Sequence, residues 1–232
     1  MPSRPSARER VRAEITREIA DAARAQLAAD GAAALSLRAV ARELGMVSSA
    51  VYRYFASRDE LLTALIIDGY NALGAAIEQA DAVRPREDFT GRWQAATGAA
   101  RDWALAHPHE YALLYGSPVP GYQAPADTIV PAARSAVVFG RLVADAHAAG
   151  ALTAPAAPAP SATLATDLTQ IRDAVMPAVP DEIAAPAVTA WAGVFGVISF
   201  ELFGQFNNVI TDRAAYFAHA TASLARLFGL PT

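Results

Sequence analysis

The side chains best equipped for chemistry crowd into one stretch, S-S-A-V-Y-R-Y-F-A-S-R, from Ser48 to Arg58. Ser48 and Ser49 lead it, Ala50 keeps the next position small, Tyr52, Arg53 and Tyr54 follow, and Arg58 closes it. Hydroxyl, phenol and guanidinium groups donate to phosphate oxygens and to the acceptor edges of bases, so the set suits nucleic-acid recognition. Catalytic arrangements fare worse. Ser117 in Y-G-S-P-V-P-G lacks the G-x-S-x-G frame, and His109-Glu110 is followed by Leu113, without the second His of an H-E-x-x-H site. The trio His107, His109 and Glu110 has no diagnostic metal-ligand spacing. No phosphate-cradling or dinucleotide fingerprint occurs, and the lack of Cys removes thiolate chemistry and disulfides. The expectation is no enzyme, no metal and no cofactor.

Hydrophobic spacing indicates the elements that would position these groups. Ile15, Ile19, Ala23 and Leu27 recur every fourth residue and predict a helix over 7–30, stopped by Gly31. Ser36 offers an N-cap oxygen to a short helix carrying Leu37, Val40, Ala41 and Leu44, which ends at Gly45. A third helix over about 47–55 has Val51, Tyr54 and Phe55 as its apolar side and leaves Ser48, Ser49, Tyr52 and Arg53 outside. Ser57 and Glu60 then form a capping-box pattern for a fourth helix running to about Asp81. Two short helices joined by a tight glycine turn and packed on a longer one make a helix-turn-helix, whose second helix fits a major groove of roughly 12 Å. Later helices are expected over about 89–107, 126–149, 161–176, 181–206 and 212–228. A short aromatic helix, HEYALLYG, follows Pro108, and a low-complexity loop spans Thr153 to Pro160. No strand is predicted, so the fold class is all-α.

Charge is distributed unevenly. Residues 1–60 carry 10 Arg against 8 acidic residues, although the whole chain has a formal net charge of −4. Positive charge at one end fits a molecule that meets phosphate only there. An architectural DNA binder would be more basic and would lack so large an apolar remainder. The N-terminus is charged, without the apolar run of a secretory signal, and a cytoplasmic location is expected.

The segment LSLRAVARELGMVSSAVYRYFASRDELLTALI resembles the DNA-binding domain of tetracycline-repressor-like (TetR) regulators, and the likeness extends from about Val11 to Asp68. It implies that Ser36 and Arg38 touch the DNA backbone or a base edge, and that Ser48, Ser49 and Ala50 face bases. Tyr52, Arg53 and Tyr54 would meet the DNA beside them, the tyrosines through phosphates. Arg58, where the family usually carries Lys, would grip a phosphate near the start of the fourth helix. Because the base-facing residues are small, DNA shape and an Arg-rich arm (Arg4–Arg12) would add specificity. The domain division expected is a flexible arm over 1–12, the helix-turn-helix over 13–58, and a ligand-binding and dimerisation domain over 59–232, with 59–81 as connecting helix.

The segment AWAGVFGVISFELFGQF resembles a Trp-Gly signature found in one branch of the family's C-terminal domains. Its helix is apolar nearly all round and long enough to raise a membrane span. Glu201, Thr189 and Ser199 within it, and the lack of a basic flank, favour a buried core or dimer helix instead. Val194, Ile198, Phe217 and Leu224 are expected at a homodimer interface formed by the last two helices and their two-fold mates. Trp93, Trp103, Tyr111, Leu114, Tyr115, Trp191, Phe195 and Phe203 could line a drug-sized pocket for a small, largely apolar effector, with His107 and His109 orienting it. The same aromatics at helical spacing equally suit plain core. The resemblance implies a near-palindromic operator, bound by a dimer whose recognition helices enter successive major grooves and released when ligand shifts the fourth helix.

Overall fold

The computed structural model describes residues 6–153 and 160–231, and among these the chain is all-helical. The helices are α1 (Ala7–Asp30), α2 (Leu37–Glu43), α3 (Ser48–Val51), α4 (Arg58–Ala82), α5 (Phe89–Ala106), α6 (Pro108–Tyr115), α7 (Ile129–Ala148), α8 (Ala162–Val175), α9 (Asp181–Leu202) and α10 (Arg213–Leu227). Two 3-10 turns, Ala32–Ala34 and Ala126–Thr128, complete the set. Most of the loop expected over Thr153–Pro160 lies outside the described residues.

The chain forms two compact units, one of residues up to Gly69 with His107–Ile129, the other of Tyr70–Ala106 with Val130 onward. The expected boundary near Arg58 is therefore displaced, and α6 with the loop after it joins the N-terminal unit. The cause is visible within that unit: Leu113, Val119 and Tyr122 pack on its core, and Arg24 of α1 pairs with Glu110 at 3.3 Å. The helix α4 is continuous across both units.

In the first unit, the expected arm over 1–12 is helical from Ala7. Glu9 donates its backbone N–H to Ser6 Oγ at 3.2 Å, and Ser6 N–H donates to Glu9 Oε2 at 2.6 Å, a reciprocal capping box. These bonds, the one from the Ser6 backbone above all, hold the Glu9 carboxyl below its ordinary pKa. The core gathers Ile19, Ala23 and Leu27 of α1, Val40 and Ala41 of α2, Val51 of α3, Phe55, and Leu61, Leu62 and Leu65 of α4. Truncating one of these leucines to Ala costs about 2–5 kcal/mol.

The turn between α2 and α3 is a Schellman close. Met46 N–H donates to Ala41 O at 2.8 Å and Gly45 N–H to Arg42 O at 3.2 Å, with Gly45 at φ 64°. A Cβ at Gly45 would meet no atom within 4 Å, so the backbone conformation and not crowding requires glycine. The third helix is shorter than expected, because a tight turn takes over after Val51: Tyr54 N–H and Phe55 N–H both return to Val51 O. At the start of α4, Glu60 N–H donates to Ser57 Oγ at 3.1 Å, while Glu60 Oε2 accepts from Ala56 N–H at 2.6 Å.

In the second unit, Arg92 of α5 is fully buried and joins three segments. Its Nε and Nη2 donate to the Asp81 carboxylate at the end of α4, and its Nη1 to Asp145 Oδ2 of α7 at 2.9 Å and to Arg86 O. Burial acts to lower the guanidinium pKa, but the bonds to Asp81 and Asp145 outweigh it and raise it. Arg134 of α7 ties to α4 by a two-pronged bond to Glu78 at 2.9 and 2.6 Å.

Both α4 and α9 are long and apolar enough to cross a membrane by length and composition alone. Within its unit, however, α9 buries Ile183, Ala184, Ala187, Ala190, Val194, Phe195 and Ile198. Its buried Glu201 forms a bidentate pair with Arg101 at 2.8 and 2.7 Å. It is a core helix. A Cβ at Gly193 would stand 2.6 Å from Leu224 Cδ2, so α9 and α10 approach closely there.

Candidate functional site

The first unit exposes what its core supports. On α2, Val40 and Ala41 turn inward while Arg38 stands in solvent; on α3, Val51 is buried while Ser49 is exposed and Ser48 and Ala50 are half-buried. Tyr52, 45% exposed, and Arg53 follow on the same outer side. A 3.6-residue period applied to L-R-A-V-A-R-E and S-S-A-V separates these faces without further help.

Two hollows take in the residues that follow α3. One, about 540 Å³, is lined by Leu35, Ser36, Leu37, Arg38, Tyr52, Ala56, Ser57 and Arg58. It collects four of the expected contact residues, Ser36, Arg38, Tyr52 and Arg58, from three elements. The other, about 520 Å³, is lined by Ala7, Arg8, Val11, Arg12, Arg53 and Tyr54. There the Arg12 guanidinium lies 5.1 Å from the centre of the Tyr54 ring and donates to Arg53 O at 3.2 Å. Guanidiniums and phenols gathered in open hollows are chemistry suited to gripping phosphates.

Two expected roles change. Ser36 has N-cap backbone geometry, but its hydroxyl makes no cap bond; its N–H donates instead to Gln26 Oε1 at 2.9 Å. Arg58 is engaged internally: its Nε donates to Leu35 O at 3.2 Å and its Nη2 to Ala32 O and Ala33 O at 2.9 and 3.2 Å. It thus closes the carbonyl end of the turn leading into α2. Arg8 and Arg12, expected both in a helix over 7–30 and in a flexible arm over 1–12, are helical. The signal was present in S-A-R-E, a capping box that starts the helix at Ala7. Tyr54 is half-buried, packed partly on the core, and Phe55 is core.

The second unit holds a partly open hollow of about 370 Å³. Its walls come from α5 (Trp93), α7 (Ala136, Phe139, Gly140, Val143), α8 with Met176 after it (Gln170, Ile171, Ala174, Val175), and α9 (Ala187, Val188, Trp191). Trp93 meets Phe139 edge-on at 5.4 Å and donates its indole N–H to Thr221 O at 2.9 Å.

Of the expected pocket residues, Trp93 and Trp191 border this cavity and the rest do not. Trp103 and Phe195 are buried in the second unit, Phe195 edge-on to Trp191 at 5.6 Å, and Phe203 is 43% exposed past the end of α9. His107 (N-cap of α6), Tyr111, Leu114 and Tyr115 belong to the first unit, where the two tyrosines stack at 5.0 Å. His109 is exposed on α6 in that unit.

The expected dimer residues also face their own chain. Val194 and Ile198 are completely buried, Phe217 is 6% exposed under the Arg101 guanidinium, and Leu224 covers Gly193. A helix apolar on all sides must give one face to its own core. The outward face of the α9–α10 pair carries Gly196, Phe200, Phe203 and Tyr216 instead.

Comparison with known proteins matches both halves. Residues 19–65 match the family described as bacterial regulatory proteins, tetR family, and residues 93–224 match the tetracyclin repressor-like C-terminal domain. The HTH-type transcriptional regulator Mb1846 of Mycobacterium bovis is 42% identical over 227 residues, covering 94% of this chain and 93% of that protein. Among solved structures, the regulatory protein SCO4313 superimposes with a TM-score of 0.76 at 35% identity, covering 94% of this chain and 98% of that one. A tetR-family bacterial regulatory protein from Rhodococcus RHA1 shares the fold, with a TM-score of 0.64 at 20% identity over 94% of this chain and 98% of that one.

Proposed function

The chain belongs to the TetR family of DNA-binding transcriptional regulators, and from that premise we propose that it is a repressor released from a near-palindromic operator by a small, largely apolar ligand. The observation that carries the DNA half is the array over α2 and α3: Arg38, Ser49, Tyr52 and Arg53 outward, Val40, Ala41 and Val51 inward, with two guanidinium-lined hollows. Ser48, Ser49 and Ala50 meet base edges, Arg38 reaches a base edge or the backbone, and Tyr52, Tyr54, Arg53, Arg8 and Arg12 meet the backbone. The small base-facing residues leave part of the specificity to DNA shape.

The ligand half rests on the cavity between Trp93 and Trp191, whose volume lies in the drug-sized range of roughly 300–1,000 Å³. Ligand acts only through its different affinity for DNA-competent and DNA-incompetent geometries, and α4, continuous from Arg58 to Ala82, is the element that carries the shift. The molecule works as a cytoplasmic homodimer, and its C-terminal domain belongs with the Trp-Gly branch through AWAGVFG. Phe200, Phe206 and Tyr216 form an edge-to-face aromatic ridge, with Phe200 52% exposed, that a second copy would cover.

Binding to fragments of the protein's own upstream DNA, followed by sedimentation of the complex, tests this reading. A dimer on one near-palindromic site supports it; a monomer on DNA, or no site at all, removes it. Phe200→Glu should convert the free protein to monomer in micromolar sedimentation runs and weaken operator binding with it. An unchanged dimer would move the interface elsewhere.

A further inference from the structure

We propose that Arg134 is the positioning residue through which the hollow of the second unit acts on DNA binding: its forked hold on α4 passes a displacement of the α7 wall to that helix. This rests on the ligand-binding reading above and names the side chain that carries its effect. Arg134 itself touches neither ligand nor DNA.

The hollow opens on one side and is closed on another. The α8 wall gives exposed residues, Gln170, Ile171 and Ala174, whereas the α7 wall gives buried ones, Phe139, Gly140 and Val143. An occupant therefore presses on α7. Arg134 lies two residues before Ala136, the first α7 residue of that wall.

From there Arg134 grips α4 at two places. Its Nε and Nη2 donate to the Glu78 carboxylate at 2.9 and 2.6 Å, and its Nη1 donates to Asn71 O and Asn71 Oδ1, both at 2.9 Å. Asn71 and Glu78 stand about two helical turns apart, so one guanidinium fixes α7 both along and around α4. Between them is Gly74, where an added Cβ would stand 2.7 Å from Arg134 Cβ. The α4 backbone and the root of Arg134 are in direct contact, which leaves α4 no slack to slide past α7 with the fork intact. The helix then runs unbroken back to Arg58, and its Leu61, Leu62 and Leu65 share one core with Val40, Ala41 and Val51 of α2 and α3. A helix is stiff over this length, so a shift imposed at Asn71 and Glu78 is felt in that core.

Arg92, next to the wall residue Trp93, also holds α4 through Asp81, but it is completely buried and its loss registers first as instability. The Arg134 fork is different. The Glu78 side chain is 43% exposed and that of Arg134 28%, so the fork can be cut with the carboxylate left hydrated.

A double-mutant cycle on the full chain tests this with a filled hollow in place of an effector. Ala187→Trp on the α9 wall is the filler, and Ala174→Trp on the exposed α8 wall is a second one. Arg134→Met removes the fork but keeps the stem that meets Gly74. Affinity for the operator fragment is read by anisotropy, with circular dichroism confirming each fold. A filler should weaken operator binding by about 5- to 150-fold, the usual span of coupling between sites. In the Arg134→Met background the same filler should cost less than about 2-fold, and in Arg134→Lys, which keeps the charge but not the fork, an intermediate amount. A filler penalty of full size in Arg134→Met overturns the proposal and leaves the ligand reading standing. Folded fillers that leave operator binding unchanged overturn the ligand reading and the proposal together.

Discussion

In the first unit the proposed DNA contacts Arg38, Ser49 and Tyr52 stand on the surface above a core of Val40, Ala41 and Val51. In the second unit the proposed ligand site is a hollow set into the fold, with Trp93 and Trp191 among walls drawn from four helices. A surface site tolerates exchange of its contact residues with little effect on stability, because solvent fills what they leave. A site set into the fold cannot separate the two, since its walls also hold the fold together. The difference teaches where function and stability should be separable in this molecule and where they should move as one.

The largest effect should come from the buried ion cluster of the second unit. Arg92→Leu removes the buried guanidinium that joins Asp81, Asp145 and Arg86 O, leaves the two carboxylates to the exposed Arg86, and should destabilise that unit by about 2–4 kcal/mol, read as a lowered denaturation midpoint. Little change would mean that the two carboxylates reach solvent, which would weaken the contrast between the units. Next is Arg58→Ala. With three carbonyls of the turn before α2 released, stability should fall by about 1–3 kcal/mol while the salt dependence of DNA binding keeps its slope. The opposite pattern, intact stability with a shallower salt slope, would return Arg58 to a phosphate.

Smaller still is Tyr52→Phe, which should leave the melting temperature unchanged and weaken operator and random DNA alike by about 1 kcal/mol. A loss confined to the operator, seen by titration, would make Tyr52 a base reader. The smallest concerns Glu78, whose carboxyl Arg134 holds below its ordinary pKa, chiefly by its hydrogen bond. The depressed pKa stabilises the fold above the carboxylate range, and that contribution is lost as pH falls through the folded-state value. Glu78→Gln should therefore cost under about 1 kcal/mol at neutral pH, and the gap to wild type should close in acid unfolding scans. A gap that persists at low pH would show packing rather than charge.

The contrast also explains what was legible beforehand. A helix face is written locally, every third and fourth residue, so the sides of α2 and α3 could be read from Leu37 to Val51. Caps were legible too at Ser57, and the helix expected over 7–30 is α1, although the domain division treated 1–12 as a flexible arm and the capping box at Ser6 was not noted. The carbonyl bonds of Arg58 were not legible, because a guanidinium at the mouth of a helix suits a phosphate as well as it suits three carbonyls, and the path of Ala32–Leu35 brings those carbonyls to it. The cavity was not legible. Its walls combine residues such as Trp93, Phe139, Ile171 and Trp191 from four helices, and no local period links them. The same is true of the outer side of α9, where composition alone does not distinguish Val194 and Ile198 from Phe200.

The central claim is that the α2–α3 face reads DNA, and the most direct test is a competitive anisotropy titration. A fragment of the protein's own upstream DNA is measured against random DNA of equal length, across a salt series. The account predicts a preference of about a thousandfold or more for one fragment, with both affinities falling linearly in log salt as phosphate contacts release counterions. Equal affinity for the two DNAs at every salt concentration would contradict it.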